Sequence, residues 1–225
     1  MSASADPIPR LHVLLSEAEL AGAGLGWAAD LLETGTSIAV HLRARLPARR
    51  LFAAAESLAA RAAPGNWCVV NDRLDIAMAS RAQAAQLGRR SLPVAEAVRL
   101  RGPGSGLRIG ASVHGVAQAV SAVRAGADYL VLGTIYSTPS HERRPGAGPE
   151  LVAAVRDAVN DAPVGVLAIG GIDNRRVPAV VGAGASGVVV HRAVCRAPDP
   201  VEAADEMGRV LETAMRRESE RQEML

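Results

Sequence analysis

An eight-stranded (β/α)8 TIM barrel, a single-domain α/β fold, is what the sequence predicts, and three observations predict it. Eight short strand patterns alternate with eight helical ones along 225 residues, the size of a minimal barrel of this kind. The strands read as continuous apolar runs, the mark of parallel strands buried on both faces. Polar clusters fall at the strands' C-terminal ends, where barrels carry their sites. An open flavodoxin-like sheet is the competing arrangement, but eight units are too many for it.

The elements follow in order. A first strand is expected over Arg10 to Leu15 and a helix over Gly24 to Glu33. The second strand, Ser37 to Leu42, ends in His41, Arg43 and Arg45, and Pro47 opens an Ala-rich helix to about Ala63. Pro64-Gly65-Asn66 is a turn, followed by the strand Trp67 to Val70 and the polar end Asn71-Asp72-Arg73. A short helix covers Asp75 to Ser80. The strand Ala85 to Leu87 ends in Gly88-Arg89-Arg90-Ser91, and Pro93 starts a helix to about Leu100.

Gly102 to Gly106 resembles a linker but is too short to divide domains. The fifth strand is expected over Leu107 to Ile109, with a strand-to-helix turn through His114 and a helix over Val116 to Ala125. Asp128 to Leu132 is the sixth strand, Gly133 to Gly148 a long polar loop, and Pro149 to Val159 a helix. Val164 to Ala168 is the seventh strand, ending in Gly170-Gly171; Asp173 caps the helix to about Val181. Gly187 to Val190 is the eighth strand, ending in His191-Arg192. The last helix starts near Pro200. One domain over 1–225 is expected, with an ordered core over about 10–215 and tails at 1–9 and 216–225.

Composition excludes several functions. All 25 basic residues are arginine, so Schiff-base, pyridoxal-phosphate and P-loop lysine chemistry are absent. A formal charge of +2, spread along the chain, gives no footprint for nucleic acid. The two cysteines sit singly, which fits a reduced compartment. No apolar run approaches the roughly 18 residues needed to span a bilayer, and Met1 to Pro9 has no secretory signal pattern. A cytoplasmic location without membrane contact is expected.

Two stretches carry chemistry. In Ile109-Gly-Ala-Ser-Val-His114 an imidazole stands at the end of a strand, and a histidine titrates near neutrality. His114 is therefore the candidate proton shuttle. In Ile169-Gly170-Gly171-Ile172 the glycines let backbone N–H groups approach an anion beside a helix start. The loops after strands seven and eight are the recurrent phosphate site of barrels, so Gly170, Gly171, His191 and Arg192 are the candidate phosphate grip.

Asn71-Asp-Arg-Leu-Asp-Ile-Ala77, Gln86-Leu-Gly88, Ile109 to His114, Gly126-Ala-Asp-Tyr129, Gly133-Thr-Ile-Tyr-Ser-Thr138 and Ala168-Ile-Gly-Gly-Ile172 together resemble the thiamine phosphate synthase / TenI superfamily over roughly residues 38 to 194. The resemblance implies one of two activities. Synthases couple hydroxymethylpyrimidine pyrophosphate to thiazole phosphate with Mg2+. TenI-like proteins aromatise a thiazole carboxylate phosphate tautomer without metal.

Here His41 stands for the synthases' usual Gln, Arg45 for a Lys, Ser91 for the second metal carboxylate, and His141 for another Lys. Asp72 alone would face Mg2+. These departures favour a metal-free thiazole tautomerase, an isomerase, in which His114 moves the proton. Gly170, Gly171, His191 and Arg192 would then hold the phosphate with help from Thr138, and Arg43 with Arg89 or Arg90 the carboxylate. His41, Asn71, Ser91 and Ser112 complete the expected substrate contacts. The Mg2+-dependent synthase is the alternative, and a non-catalytic barrel that binds a thiamine intermediate is the other. The expected partner is a small phosphorylated thiazole, and the expected assembly a homo-oligomer.

Overall fold

The computed structural model describes residues 7–22, 24–34, 37–138 and 146–224. The strands are β1 (Leu11–Leu15), β2 (Ile38–Leu42), β3 (Trp67–Asn71), β4 (Ala84–Leu87), β5 (Arg108–Val113), β6 (Tyr129–Gly133), β7 (Gly165–Ile169) and β8 (Gly187–Val190). They pair in sequence order and close, β8 returning to β1 in parallel register. The helices are α1 (Glu17–Ala21), α2 (Gly24–Thr34), α3 (Ala48–Arg61), α4 (Leu74–Ala79), α5 (Val94–Arg101), α6 (Val116–Arg124), α7 (Glu150–Ala158), α8 (Val177–Gly182), α9 (Arg192–Cys195) and α10 (Pro200–Glu223). The expected eight-fold barrel is the observed fold.

Strand alternation sorts the apolar residues into two layers. Leu14, Ala39, Trp67, Val69, Ala84, Tyr129, Val131, Leu167 and Val189 fill the barrel interior. Their outward-facing neighbours, Val13, Val40, Val70, Ile109, Leu130, Val166 and Val188 among them, pack under the helices. Gly110 has a specific task here: a Cβ on it would lie 2.2 Å from Tyr129 Cζ and 2.3 Å from Gln86 Oε1. The missing side chain is what admits the Tyr129 ring to the interior.

At the N-terminal face, Asp128 accepts from the Ile109 amide at 2.7 Å and from Arg101 at 2.5 Å. That carboxylate belongs to the stabilising end of the barrel, away from the site.

Four expectations need correction. The fifth strand continues through Gly110 to Val113, so Ser112 lies in the strand and only His114 follows it; the glycine is a packing device, where the sequence suggested a turn. Two short helices, α1 and α9, add to the eight expected. Asp173 opens a turn rather than the helix itself: its Oδ1 accepts from the Arg176 amide at 3.1 Å, and α8 begins at Val177. The segment 216–223, expected as the exposed end of the last helix yet placed outside the ordered core, is the last part of α10. That helix is capped by Asp199, whose side chain accepts from the Val201 and Glu202 amides at 3.0 and 3.1 Å, and it packs on α8 and α2. The expected long loop after β6 includes 139–145, with His141, which lies outside the described residues.

Candidate functional site

The C-terminal strand ends open on a cavity of about 880 Å3. Each strand contributes because its last residues emerge there: Leu14 from β1, His41 and Arg43 from β2, Asn71 and Asp72 from β3, Arg89 after β4, Ser112 and His114 from β5, Thr138 after β6, Gly170 and Gly171 after β7, and His191 and Arg192 after β8. All the expected contacts therefore line one cavity except Ser91, which sits behind Asp72.

Asp72 adopts a left-handed backbone with φ 65°, a conformation that aspartate tolerates better than most residues. Its amide donates to Gln86 O at 2.9 Å. Ser91 Oγ accepts from the Gly88 amide at 2.8 Å and donates to Asp72 Oδ1 at 2.5 Å. The serine thus fixes the aspartate's rotamer and leaves its other oxygen uncommitted by that bond.

Charge around the cavity is lopsided: Arg43, Arg89, Arg90, Arg176 and Arg192 line it against Asp72 and Asp173. Arg43, Arg89, Arg90 and Arg192 are exposed, and none forms an ion pair with a carboxylate among the described residues. Such a rim favours an anionic ligand. Arg176 was not legible as a site residue. Its guanidinium lies 4.6 Å from the Tyr136 ring centroid, and it donates to the Gly171 carbonyl.

Gly170 and Gly171 have φ of 111° and 62°. A Cβ on Gly170 would meet Thr134 Cγ2 at 2.5 Å, so a side chain is excluded by both conformation and space. Beside them Thr138 Oγ1 is buried without a hydrogen-bond partner among the described residues, a cost that a ligand oxygen would relieve. His191 Nε2 lies 3.2 Å from Glu19 Oε2 on α1. Partial burial works against the Glu19 charge, but bonds from Ser16 and His191 outweigh it and hold the carboxyl near 2. The His191 ring is therefore tied to α1.

His114 Nδ1 donates to the Gly133 carbonyl, which leaves Nε2 as the acceptor of the neutral ring. Gln86 Nε2 donates to Ser112 Oγ at 2.9 Å. Beneath these groups His41 is 1% exposed and His12 fully buried. Burial pushes both Cys68 and Cys195 up to about 12, so neither thiol serves as a nucleophile near neutral pH.

Residues 12–194 match the family model for thiamine monophosphate synthase. The chain belongs to the thiamine monophosphate synthase family. It is 40% identical over 190 residues to a thiamine-phosphate synthase of Mycobacterium sp. (strain KMS), covering 83% of this chain and 82% of that one. A thiamine-phosphate synthase of Gloeobacter violaceus is 43% identical over 136 residues, 60% of this chain, and the match spans only 38% of that protein's length. Among solved structures, a thiamine phosphate pyrophosphorylase from Pyrococcus furiosus superposes with a TM-score of 0.77 at 28% identity, over 92% of this chain and 97% of that one.

These relatives correct the expected activity. The tautomerase, and with it the assignment to the isomerases, is overturned by relatives near 40% identity that are thiamine-phosphate synthases. That expectation rested on His41, Arg45, Ser91 and His141 standing in place of the synthases' usual residues, Ser91 in place of a second metal carboxylate above all. Mg2+ sites commonly use one or two carboxylates and complete their shell with substrate phosphates and water. Asp72, on the cavity wall with Ser91 fixing it, suits a cation that arrives on phosphates. Among the described residues no cluster of three or more His, Cys, Asp or Glu could hold a metal, so these residues offer no all-protein cage. No helix among the described residues is long and apolar enough to cross a membrane.

Proposed function

We propose that the chain couples a pyrimidine pyrophosphate to a thiazole phosphate, releasing pyrophosphate, as a thiamine phosphate synthase. The observation that carries this reading is Asp72, held by Ser91 at 2.5 Å on the wall of an arginine-rimmed cavity. The relatives near 40% identity support it.

In the coupling, the bond from the pyrimidine's methylene carbon to the pyrophosphate oxygen breaks, and its electrons leave with pyrophosphate. The lone pair of the thiazole nitrogen forms the new C–N bond, giving a thiazolium. No proton has to be abstracted, so the chain's tasks are orientation and charge stabilisation.

Asp72 would hold Mg2+ together with the pyrophosphate oxygens, and the bound ion would neutralise charge that grows on the leaving group. Arg43, Arg89 and Arg90 would hold the pyrophosphate on the same side. The thiazole phosphate would sit at Gly170 and Gly171, with Thr138 Oγ1 and the backbone of His191 and Arg192. His114 Nε2 and Ser112 would form the polar wall between the two anion sites. The partners are then two small phosphorylated heterocycles.

The test is release of pyrophosphate from purified protein with Mg2+. Release is expected only when both substrates are present. Release from the pyrimidine pyrophosphate alone, unchanged by thiazole phosphate, would make the chain a hydrolase instead.

A further inference from the structure

From the cavity wall, three polar side chains form one chain of contacts into the barrel interior: Asn71 and His41 line the cavity and His12 lies beneath them. His12 Nε2 lies 2.9 Å from Pro9 O. His12 Nδ1 lies 2.7 Å from His41 Nε2. His41 Nδ1 lies 3.1 Å from Asn71 Oδ1. Trp67 and Tyr129 enclose the pair, their ring centroids 6.4 and 5.9 Å from that of His12.

Donor and acceptor roles follow by elimination. A carbonyl oxygen only accepts, so His12 Nε2 carries a proton. The neutral ring then presents Nδ1 as an acceptor, and His41 Nε2 must donate to it. Burial favours neutral imidazoles here: it lowers His41 to about 4, and burial with His41 alongside holds His12 well below the usual histidine range. With Nε2 protonated, neutral His41 has only a lone pair at Nδ1. That lone pair cannot accept from a carbonyl oxygen. It pairs with the carboxamide NH2, reached by a half-turn of the Asn71 amide.

We infer that His12 is a positioning residue: by fixing the tautomer of His41 it turns the Asn71 carboxamide so that Oδ1 faces the cavity as an acceptor for a ligand N–H. His41 spends both ring nitrogens in this chain. It therefore acts through Asn71 and is neither a general base nor a direct ligand contact. That the ligand is the pyrimidine partner rests on the coupling reading above; the tautomer does not.

The test uses the full chain labelled with 15N at histidine, at neutral pH and without substrate. Both His12 and His41 should show a protonated Nε2 and an unprotonated Nδ1. In His12→Phe, His41 Nε2 loses its acceptor and the ring should switch to the Nδ1–H tautomer, turning the Asn71 oxygen inward. His12→Asn, whose Oδ1 falls near the position of Nδ1, should restore the wild-type tautomer.

The affinity for the pyrimidine pyrophosphate should fall about tenfold in His12→Phe, the worth of one hydrogen bond, with kcat little changed and pyrophosphate binding intact. An Nδ1–H or imidazolium signal for His41 in wild type overturns the inference, as does an unchanged tautomer in His12→Phe. Should His12→Phe not fold, the wild-type spectrum and His12→Asn decide. A tautomer switch without any coupling activity would sink the coupling reading and leave the positioning role standing.

Discussion

Ser91 Oγ donates to Asp72 Oδ1 at 2.5 Å, so the residues that follow β4 and β3 act as one unit on the cavity wall. Asp72→Asn keeps the shape and removes the charge, and coupling should fall by about 10²-fold or more, as for loss of a preorganised electrostatic group. Ser91→Ala should cost less, about tenfold, because the carboxylate remains but loses its donor. Ser91→Asp should lower the Tm in EDTA, by setting two carboxylates side by side, and regain it with Mg2+. Equal melting in both buffers would show that no cation sits there.

Gly170→Ala tests the phosphate grip. The new Cβ meets Thr134 Cγ2 at 2.5 Å with φ at 111°, so the loop must shift. The KM for thiazole phosphate should rise at least tenfold, measured against an unchanged KM for the pyrimidine pyrophosphate. Equal changes in both would place the thiazole phosphate elsewhere.

His114→Asn should retain coupling to within about tenfold, since the reaction moves no proton and the new carboxamide N–H can still donate to Gly133 O. A loss of about 10²–10⁴-fold would be that of an acid–base catalyst and would contradict the reading of His114 as a polar wall.

Stability should fall as the medium is acidified through the histidine range. His41 is held near 4 by burial, below the roughly 6.5 of the unfolded chain. The unfolded state therefore binds the proton first. The contribution is fully present above about pH 6.5 and is lost as pH falls towards 4, on the order of 3 kcal/mol. Denaturant melts from pH 7 to 4 measure it, and His41→Gln should reduce the slope, leaving the part due to buried His12. An unchanged slope in that variant would mean that His41 is not the titrating group.

The barrel was legible because its strands are apolar on both faces and their spacing is regular. Most of the site was legible too, since strand ends converge once the fold is fixed. What failed did so for local reasons. Gly110 reads as a turn until Tyr129 is seen to occupy its missing Cβ. The helices α1 and α9, with 5 and 4 residues, are too short to show a period. His12 is one polar residue in an apolar strand, and its partner is 29 positions away. Arg176 gains its place by folding back over Tyr136, which no motif announces. Ser91 misled about activity because a missing ligand says little when the substrate brings its own oxygens.

The most direct measurement is the rate of thiamine phosphate formation from hydroxymethylpyrimidine pyrophosphate and thiazole phosphate, with Mg2+ and again in excess EDTA. Steady product formation is expected with Mg2+, with its loss in EDTA and its return when Mg2+ is added back. Folded protein that binds both substrates with Mg2+ present yet forms no thiamine phosphate would contradict it.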